Sequence, residues 1–306
     1  MSKAVEVVVC GEAMLLMLAE PGVPLERAAM FRRGVVGAET NVATGLARLG
    51  HQVRWLGRVG ADPAGRTVLA ALRAEGVDTG HVVVDPAAPT GLLLRDSHPS
   101  RGIDVQYYRA GSAASRLAPE ELAPAMVDGA RLVHVTGITA MLSESACLAT
   151  NRLVELARQA GALVSFDPNV RLKLGAPELW RERVVPLMES ADVVLAGEDE
   201  LELLRPGTLA GTLVTKHRDK SATCGDERQE AFSVPVTDPV GAGDAFAAGF
   251  LSGLLRGAGY DVCLREAAAV AALVVQCAND TDGLPDRSGL DRALAGFTEA
   301  GETVHR

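Results

Sequence analysis

The sequence is poor in the residue arrangements that bind metals or form disulfide frameworks. Its 5 cysteines are odd in number and widely spaced, and no two of them form a Cys-x-x-Cys pair. This pattern argues against a disulfide framework and against a zinc site, and the 6 histidines are scattered as well. Cys10 ends an apolar strand pattern, whereas Cys263 and Cys277 lie in apolar helical patterns, so we expect buried free thiols.

The sequence also lacks an excess of basic residues and a long apolar run. A formal net charge of −9 argues against a nucleic-acid or anionic-membrane partner, because either would require a basic face. The Ala-rich run Ala267–Val275 is shorter than the ~20 apolar residues that a membrane-spanning helix needs. Val5–Val9 is apolar, but no basic segment precedes it and no cleavage site follows, so we predict no signal peptide and a cytoplasmic location.

The sequence has enough apolar residues to bury a sizeable core. It is 48% hydrophobic and 23% charged, and its length suits one large domain or two ordinary ones. From residue 132 onward, apolar strand patterns alternate with helical patterns. The predicted strands are Val5–Cys10, Val53–Val59, Leu132–Val135, Leu163–Phe166, Val193–Ala196 and Thr212–Thr215. This alternation predicts a parallel sheet with helices on both faces.

Two segments fall outside the alternation, at about residues 12–36 and 89–113. Both carry short strand patterns and lack a clear helical period. We therefore predict that they form a small β lid over one edge of the main sheet.

The stretch Thr237–Phe250 is typical of a turn that opens a helix. Pro239 is predicted to end a preceding strand, and Gly241 and Gly243 leave room for a ligand at the main chain. The free N–H groups and the positive end of the following helix suit an anion, although such turns also occur without a phosphate ligand. We expect the carboxylate of Asp244 to be stabilised there as an anion that accepts or orients a hydroxyl proton.

Four polar loops follow predicted strands, namely Gly37–Asn41, Asp167–Arg171, Gly197–Glu200 and Asp238–Asp244. Ligands of open α/β sheets bind beyond the carboxyl ends of the strands, so we expect these loops to converge on one crevice. The Asn41 amide can both donate to and accept from a hydroxyl, and the Arg171 guanidinium suits a carboxylate or phosphate. The plainer alternatives are a capped helix start, a surface arginine and an acidic first helical turn.

Two of the 3 tyrosines lie beside an arginine on a predicted lid strand. Tyr107 and Arg109 would share one face of that strand, while Tyr108 would face away. A tyrosine and an arginine on one face can pack against a sugar and pair with an acid group. The alternative is a solvated strand with a single aromatic anchor.

Thr237–Phe250 closely resembles the C-terminal signature of the ribokinase-like (PfkB-type) carbohydrate kinases, and Gly37–Asn41 resembles their N-terminal signature. The resemblance extends over about residues 5 to 300, in the family's order. It implies one α/β domain over residues 1–306, with a three-layer α/β/α architecture, a central mostly parallel sheet and a β-sheet lid. It also implies an enzyme that uses ATP and Mg²⁺, and a homo-oligomer formed through the lid.

The resemblance assigns a role to each matching residue. Asp244 is the expected catalytic base, with the anion hole formed by Gly241, Ala242 and Gly243, and sugar contacts from Gly37 and Asn41. Gly197–Glu200 resembles the family's Asn-x-x-Glu, in which the Glu200 position organises magnesium through water.

Other segments resemble the 2-keto-3-deoxygluconate kinases of this family, namely Tyr107–Ala114, Gly137–Thr139, Thr90–Leu92 and the Asp-x-Asn-x-Arg of 167–171. This implies transfer of phosphate from ATP to the terminal hydroxyl of that sugar acid. The implied substrate contacts are Gly37, Asn41, Tyr107, Arg109, Ile138, Arg171 and Asp244. Arg109 and Arg171 would select the acid group.

Several positions depart from the family pattern. Gly197 replaces an Asn, Arg218 and Ser221 lie where glycines are usual, Ala268 replaces an Asn near the adenine, and Leu93 replaces a Tyr found in relatives. The nucleotide site is therefore assigned only to Lys216, Gly241, Gly243, Ala268 and the turn at Asn279–Gly283. A fructokinase-like or other sugar kinase, or a sugar-binding relative without catalysis, remains an alternative.

Overall fold

The computed structural model of the chain describes residues 5–98 and 102–298. The strands in these ranges are β1 Val7–Cys10, β2 Met14–Ala19, β3 Phe31–Val36, β4 Val53–Leu56, β5 Arg58–Gly60, β6 Val83–Asp85, β7 Gly91–Arg95, β8 Val105–Tyr108, β9 Leu132–Thr136, β10 Leu163–Asp167, β11 Val193–Gly197, β12 Thr212–Lys216, β13 Ala222–Cys224 and β14 Glu227–Gln229. The α-helices are α1 Ala38–Arg48, α2 Pro63–Ala74, α3 Gly137–Leu142, α4 Glu144–Gln159, α5 Pro177–Ser190, α6 Glu198–Leu204, α7 Ala242–Leu255, α8 Tyr260–Val274 and α9 Arg287–Thr298.

The main sheet is mostly parallel, as predicted. Its strand order is β14-β13-β12-β11-β10-β9-β1-β4, and only β13 and β14 at one edge run antiparallel to their neighbours. The central strands are continuous apolar runs because both of their faces are covered. Val7 and Val9 pack into one core cluster, whereas Val8 and Cys10 pack into the other.

Helices cover both faces of the main sheet, which confirms the predicted three-layer α/β/α architecture. Side chains of α1, α2, α7 and α8 complete the core on one face. Side chains of α3, α4, α5 and α6 complete it on the other. The parallel strands therefore all end at the same edge, and the polar loops that follow them lie together there.

A separate four-stranded sheet, called the small sheet below, has the strand order β3-β2-β7-β8. Strand β2 pairs in parallel with β7 and antiparallel with β3, and β8 pairs antiparallel with β7. Its strands come from the two segments that interrupt the alternation in the sequence. Leu16, Leu18 and Leu93 form an apolar cluster on its inner face.

The strand predicted over Val53–Val59 is in fact two strands. Strand β4 belongs to the main sheet, and β5 turns away to pair with β6. The break falls at Gly57, where a Cβ atom would lie 2.5 Å from the Trp55 ring and 2.6 Å from the Gly11 carbonyl oxygen. A glycine is needed where the chain passes this close to its neighbours.

The segment before Pro239 also differs from its prediction, because residues 230–237 form no strand. The two antiparallel strands β13 and β14 lie earlier, and the sequence did not predict them. All five cysteines are free thiols, and Cys10 and Cys263 are buried as expected, whereas Cys277 is only half-buried. Over the described ranges, no helix has both the length and the apolar character needed to cross a membrane.

Candidate active site

The four loops that were predicted to converge line one cavity of about 600 Å³. It lies between the carboxyl ends of β10, β11 and β12 and the inner face of the small sheet. The predicted residues that line it are Gly37, Asn41, Tyr107, Arg109, Ile138, Arg171, Glu200, Lys216, Gly241, Gly243 and Asp244. Ala242 and Ala268 line a second cavity, described below.

The turn before α7 forms one wall of the cavity. Gly241 has a φ of +85°, and a Cβ atom there would lie 2.9 Å from the Asp280 Cα, so the position requires glycine. At Gly243, the nearest atom to a Cβ would be Lys216 Nζ at 4.0 Å, which leaves the backbone open to the cavity. First-turn residues of a helix keep N–H groups that no intrahelical carbonyl accepts, so Gly243 and Asp244 can offer theirs to an anion.

The Asp244 carboxylate is held by two asparagine side chains. Asn41 Nδ2 donates to Asp244 Oδ2 over 2.8 Å, and Asn169 Nδ2 donates to Oδ1 over 3.3 Å. Asn41 is in the first turn of α1, where its backbone N–H is bonded to the Gly37 carbonyl. Asn169 follows β10 with a left-handed φ of 43°, a conformation that asparagine tolerates better than most residues.

The protonation of Asp244 differs from the expectation that the helix end stabilises its anion. Burial, together with the smaller effect of the nearby charges of Asp167 and Asp280, raises the pKa of this carboxyl to about 7. The hydrogen bond from Asn41 and the charge of Arg171 act in the opposite direction. Desolvation therefore outweighs the helix end, and the group has a pKa suited to accepting a proton near neutral pH.

Two acceptor atoms beside Asp244 are available to a ligand. The Oδ1 atoms of Asn41 and Asn169 are buried and have no hydrogen-bond partner among the described residues. A buried acceptor without a partner is costly, and hydroxyl groups of a bound sugar would satisfy both atoms. Sequence analysis did not select Asn169 as a site residue, although its place two residues beyond a buried strand was a usable signal.

The two arginines at the cavity are not equivalent. Arg109 pairs with the buried carboxylate of Glu12 and lies 5.3 Å above the Tyr107 ring. Arg171 is exposed at the cavity wall, and within residues 5–98 and 102–298 its side chain donates only to the carbonyl of neighbouring Val170, from Nη1 over 3.0 Å. The charge of Arg171 is therefore the more accessible to an acidic ligand. The sequence analysis overlooked Glu12, which lies two residues beyond the end of β1.

Glu12 is a second carboxyl with a shifted titration. Burial raises its pKa to about 7, against the lowering effect of Arg109 and of the 3.3 Å hydrogen bond from Ser112 Oγ.

The two tyrosines of β8 lie on opposite faces of the strand. Tyr107 lines the cavity, whereas Tyr108 is 57% exposed, which confirms the predicted alternation. Leu93, the position that departs from relatives, pairs with Tyr107 across the strands and also lines the cavity.

An acidic and basic cluster closes the cavity at the ends of β10, β11 and β12. Lys216 Nζ lies 2.9 Å from Asp167 Oδ2. Burial disfavours the charged form of Lys216, but the carboxylates of Asp167 and Glu200 raise its pKa, so it remains a cation. The Glu200 oxygens accept hydrogen bonds from the N–H groups of Val170 at 2.7 Å and Gly197 at 2.8 Å, which joins two of the loops.

This cluster could hold magnesium through one carboxylate and water, together with the phosphates of a substrate. The described part of the chain contains no group of three or more metal-ligating side chains. Magnesium in kinases is commonly held by one or two carboxylates together with substrate phosphates and water. Glu200 lines the cavity, and its oxygens have capacity left for a water-mediated contact.

A second cavity of about 480 Å³ adjoins the first and shares Lys216, His217, Pro239 and Gly243 with it. Its wall is mainly apolar, with Phe232, Phe246, Ala268, Ala271, Ala272 and Val275. An apolar slot that ends at an anion-binding turn suits the base of a nucleotide. Ser221 lines it as well, whereas the exposed Arg218 forms an ion pair with Glu202.

The turn at Asn279–Gly283 was predicted to lie near the adenine, and the structure does not place its Asp280 in the second cavity. Asp280 lines the first cavity instead, directly beneath Gly241. Its carboxylate is buried and paired with Arg95. Arg95 and Asp280 were therefore both missed as residues of this site.

A glycine-lined helix start and a buried carboxyl with a raised pKa lie next to an apolar slot, an arrangement that suits the transfer of a phosphoryl group from a nucleotide to an alcohol. The sequence profile described as pfkB family carbohydrate kinase matches residues 5–287. The chain therefore belongs to the pfkB family of carbohydrate kinases.

Individual relatives match over nearly their whole length. A Bacillus subtilis (strain 168) protein named 2-dehydro-3-deoxygluconokinase is 36% identical, with 98% of each chain covered. A Thermoproteus tenax protein of the same name is 34% identical over 92% of this chain and 91% of its own. The crystal structure of a Thermotoga maritima 2-dehydro-3-deoxygluconokinase superposes with a TM-score of 0.87 at 25% identity, covering 95% of this chain and 100% of that one.

Proposed function

We propose that the protein phosphorylates 2-keto-3-deoxygluconate, also called 2-dehydro-3-deoxygluconate, on its terminal hydroxyl. The donor is ATP, and the products are 2-keto-3-deoxy-6-phosphogluconate and ADP. The observation that carries this proposal is the arrangement of Asp244 at the glycine-lined start of α7, in one cavity with the accessible guanidinium of Arg171. The names of the two relatives reported above support the choice of sugar acid.

In this mechanism, the oxygen of the sugar's terminal hydroxyl forms the new bond to the γ-phosphorus of ATP. Asp244 accepts the proton of that hydroxyl. The bond from that phosphorus to the bridging oxygen of ADP breaks, and ADP takes the electron pair. The transition state of phosphoryl transfer is loose, so alignment and charge stabilisation matter more than base strength. The N–H groups of Gly243 and Asp244 would stabilise the transferring group.

The sugar would be held by groups on both sides of the cavity. Asn41 and Asn169 accept from its hydroxyls, as does the backbone near Gly37. Arg171 pairs with the carboxylate, while Arg109 and Tyr107 pack against the sugar from the small sheet. Ile138, at the start of α3, adds an apolar contact. Closure of the small sheet would exclude water that could otherwise receive the phosphoryl group.

ATP would place its base in the apolar cavity beside Ala268 and its phosphates beside Lys216 and Gly241–Gly243. Glu200 would hold a magnesium ion through water. When bound, magnesium neutralises charge on the phosphates. Because the reaction needs ATP, we also propose that the protein acts in the cytoplasm.

The test is a coupled ADP-release assay over a panel of sugars and nucleotides. The panel contains 2-keto-3-deoxygluconate, its galactonate epimer, gluconate, fructose and ribose, each with ATP and with GTP. We expect the highest kcat/KM for 2-keto-3-deoxygluconate with ATP. Faster turnover of fructose or ribose would instead indicate a neutral-sugar kinase, and sugar binding without ADP release would indicate a binding protein.

We further propose that the protein forms a dimer through the outer face of the small sheet. Leu15, Met17, Leu92 and Leu94 are half-buried there and belong to none of the core clusters of the described residues. Leu15 is paired with Leu92, and Met17 with Leu94, so the four side chains form one patch on adjacent strands. A second copy of the same sheet would bury this apolar patch.

A further inference from the structure

A single buried guanidinium joins the small sheet to two segments of the active site. Arg95 is the last residue of β7, and its side chain is only 2% exposed. Its Nη1 donates to Asp238 Oδ2 over 2.5 Å, and its Nη2 donates to Asp280 Oδ1 over 2.7 Å. Nη2 also donates to the Ala278 carbonyl over 3.2 Å. Strand β7, the turn before α7 and the Asn279–Gly283 turn therefore meet at one side chain.

Asp238 and Asp280 in turn contact the segments proposed to carry out phosphoryl transfer. Asp238 Oδ1 accepts from the Val240 N–H over 3.0 Å, which shapes the turn that ends at Gly241. Asp280 supports Gly241 from below, since a Cβ on that glycine would lie 2.9 Å from the Asp280 Cα. Asn41 Nδ2 lies 3.5 Å from Asp280 Oδ2 and donates to Asp244 over 2.8 Å.

The charges of Asp238 and Asp280 depend on the guanidinium of Arg95 as their shared counterion. Burial raises the pKa of Asp280, whereas the charge of Arg95 lowers it. Removal of the guanidinium would leave two buried carboxylates near each other without a counterion, and they would have to move apart, take up a proton or admit water. Each of these responses would change the charge or the position of the carboxyl groups that hold the Val240–Gly241 backbone.

Given the proposed kinase function, we propose that Arg95 is a positioning residue that couples the small sheet to the geometry of the phosphoryl-transfer turn and of Asp244. Arg95 does not need to contact the reacting atoms for this role. Its loss should therefore lower kcat much more than it raises the KM for the sugar.

Arg58 offers a matched control. It also bridges two carboxylates from separate segments, Asp85 at 2.8 Å and Glu121, but it does not line either active-site cavity. We expect Arg95→Met to lower kcat on the order of 100-fold, because small misplacements of reacting groups have such effects, with sugar KM changed less than threefold. Arg58→Met should keep kcat within twofold even where both variants lose thermal stability.

Arg95→Lys adds a graded test, because an ammonium keeps the charge but cannot bridge both carboxylates as a guanidinium does. We expect its kcat to lie between those of the wild type and Arg95→Met. A folded Arg95→Met whose kcat equals that of Arg58→Met would overturn the proposal. If Arg95→Met does not fold, the triple variant R95M/D238N/D280N removes the unpaired charges, and a wild-type kcat in that variant would overturn it as well.

Hydrogen–deuterium exchange separates this proposal from the proposed substrate. The backbone amides of residues 238–244 should exchange faster in Arg95→Met than in the wild type and in Arg58→Met, whether or not any sugar is turned over. Unchanged exchange there would contradict the coupling. Absence of sugar-acid kinase activity in the wild type would instead contradict the proposed function. The exchange rates of residues 238–244 would then still test whether Arg95 positions the turn.

Discussion

At the scale of the residue, Asp244 shows how burial tunes a catalytic group. A solvent-exposed aspartate is ionised well below neutral pH, but burial raises the pKa of Asp244 to about 7. A base must be deprotonated to accept the hydroxyl proton. We therefore expect kcat/KM for the sugar to rise with pH through about 7 and then to level off.

The control for this pH profile is Arg171→Ala. The charge of Arg171 lowers the pKa of Asp244, so its removal should move the rising limb to higher pH. If kcat/KM rises only below pH 5 in both the wild type and Arg171→Ala, Asp244 is not the titrating base. The profile is measured with saturating MgATP and limiting sugar.

Replacement of Asp244 by asparagine should separate catalysis from stability. The folded protein holds a proton on Asp244 that the unfolded chain releases above about pH 4, so its contribution to stability is lost as pH rises through about 7. The neutral amide of the variant mimics the protonated carboxyl at every pH. We expect Asp244→Asn to lose most turnover, to keep substrate binding, and to gain about 4 kcal/mol of stability at pH 8 but little at pH 4.

The measurements are single-turnover kinetics, calorimetric binding and thermal unfolding at the two pH values. Full turnover in Asp244→Asn would remove this residue from the mechanism. Equal stability of the two proteins at pH 8 would contradict the raised pKa.

Arg171 should determine the preference for acidic sugars. A hydrogen-bonded pair between Arg171 and a carboxylate contributes about 1.5–3 kcal/mol, so Arg171→Ala should raise the KM of a sugar acid by about 10- to 100-fold. The KM of a neutral sugar should change less than about twofold, since that sugar has no carboxylate to lose. Arg152→Ala, which removes an equal charge from the exposed face of α4, is the control. Equal losses for acidic and neutral sugars would refute carboxylate pairing.

The sequence predicted the residues with a recognisable pattern and missed those defined by long-range pairing. Gly241–Asp244 and Gly37–Asn41 were found because short stretches carry their chemistry. Glu12 and Arg95 act through partners about 100 residues or more away, Arg109 in one case and Asp280 in the other. A charged residue at an inward position of an apolar strand, as in Gly91-Leu92-Leu93-Leu94-Arg95, was the available signal.

At the scale of the element, the start of α7 has two glycines with different tasks. Gly241 has a left-handed backbone and backbone atoms of Asp280 close by, so Gly241→Ala should destabilise the fold by about 2 kcal/mol. At Gly243 a methyl group meets no atom closer than 4.0 Å, and alanine is the better helix former. Gly243→Ala should therefore keep its Tm while losing turnover, because the methyl group occupies space needed by the phosphoryl group.

Thermal unfolding and the coupled assay measure both effects. Full turnover in Gly243→Ala would show that the transferred phosphoryl group is not held at this turn.

The main elements could be predicted because hydrophobic periodicity marks buried strands and helices. The order of β9, β10 and β11, each followed by a helix, and of β12 after α6 needed no long-range information. The edge strands β13 and β14 have three residues each and half-exposed or exposed polar positions, so their pattern is too short to be distinguished from a turn. The end of β4 at Gly57 depends on contacts with Gly11 and Trp55, which only the folded chain brings together.

At the scale of the whole molecule, the outer face of the small sheet predicts association. Leu94→Glu places a charge within the patch formed by Leu15, Met17, Leu92 and Leu94, and should convert a dimer to a monomer. Leu148→Glu, at a 54% exposed position on α4, is the matched control and should leave the dimer intact. Light scattering after size-exclusion chromatography measures both masses. A wild-type monomer would contradict the proposal.

Helix α7 has a consequence for how the enzyme opens and releases its product. Ten of its 14 residues are buried between the main sheet and its neighbouring helices. The core therefore holds the body of the helix that begins at the floor of the reaction chamber, so we expect gating motion to come from the small sheet, which forms the four-stranded roof. A phosphorylated sugar would leave only after that roof lifts, and we expect lifting of the roof to set the pace of steady-state catalysis.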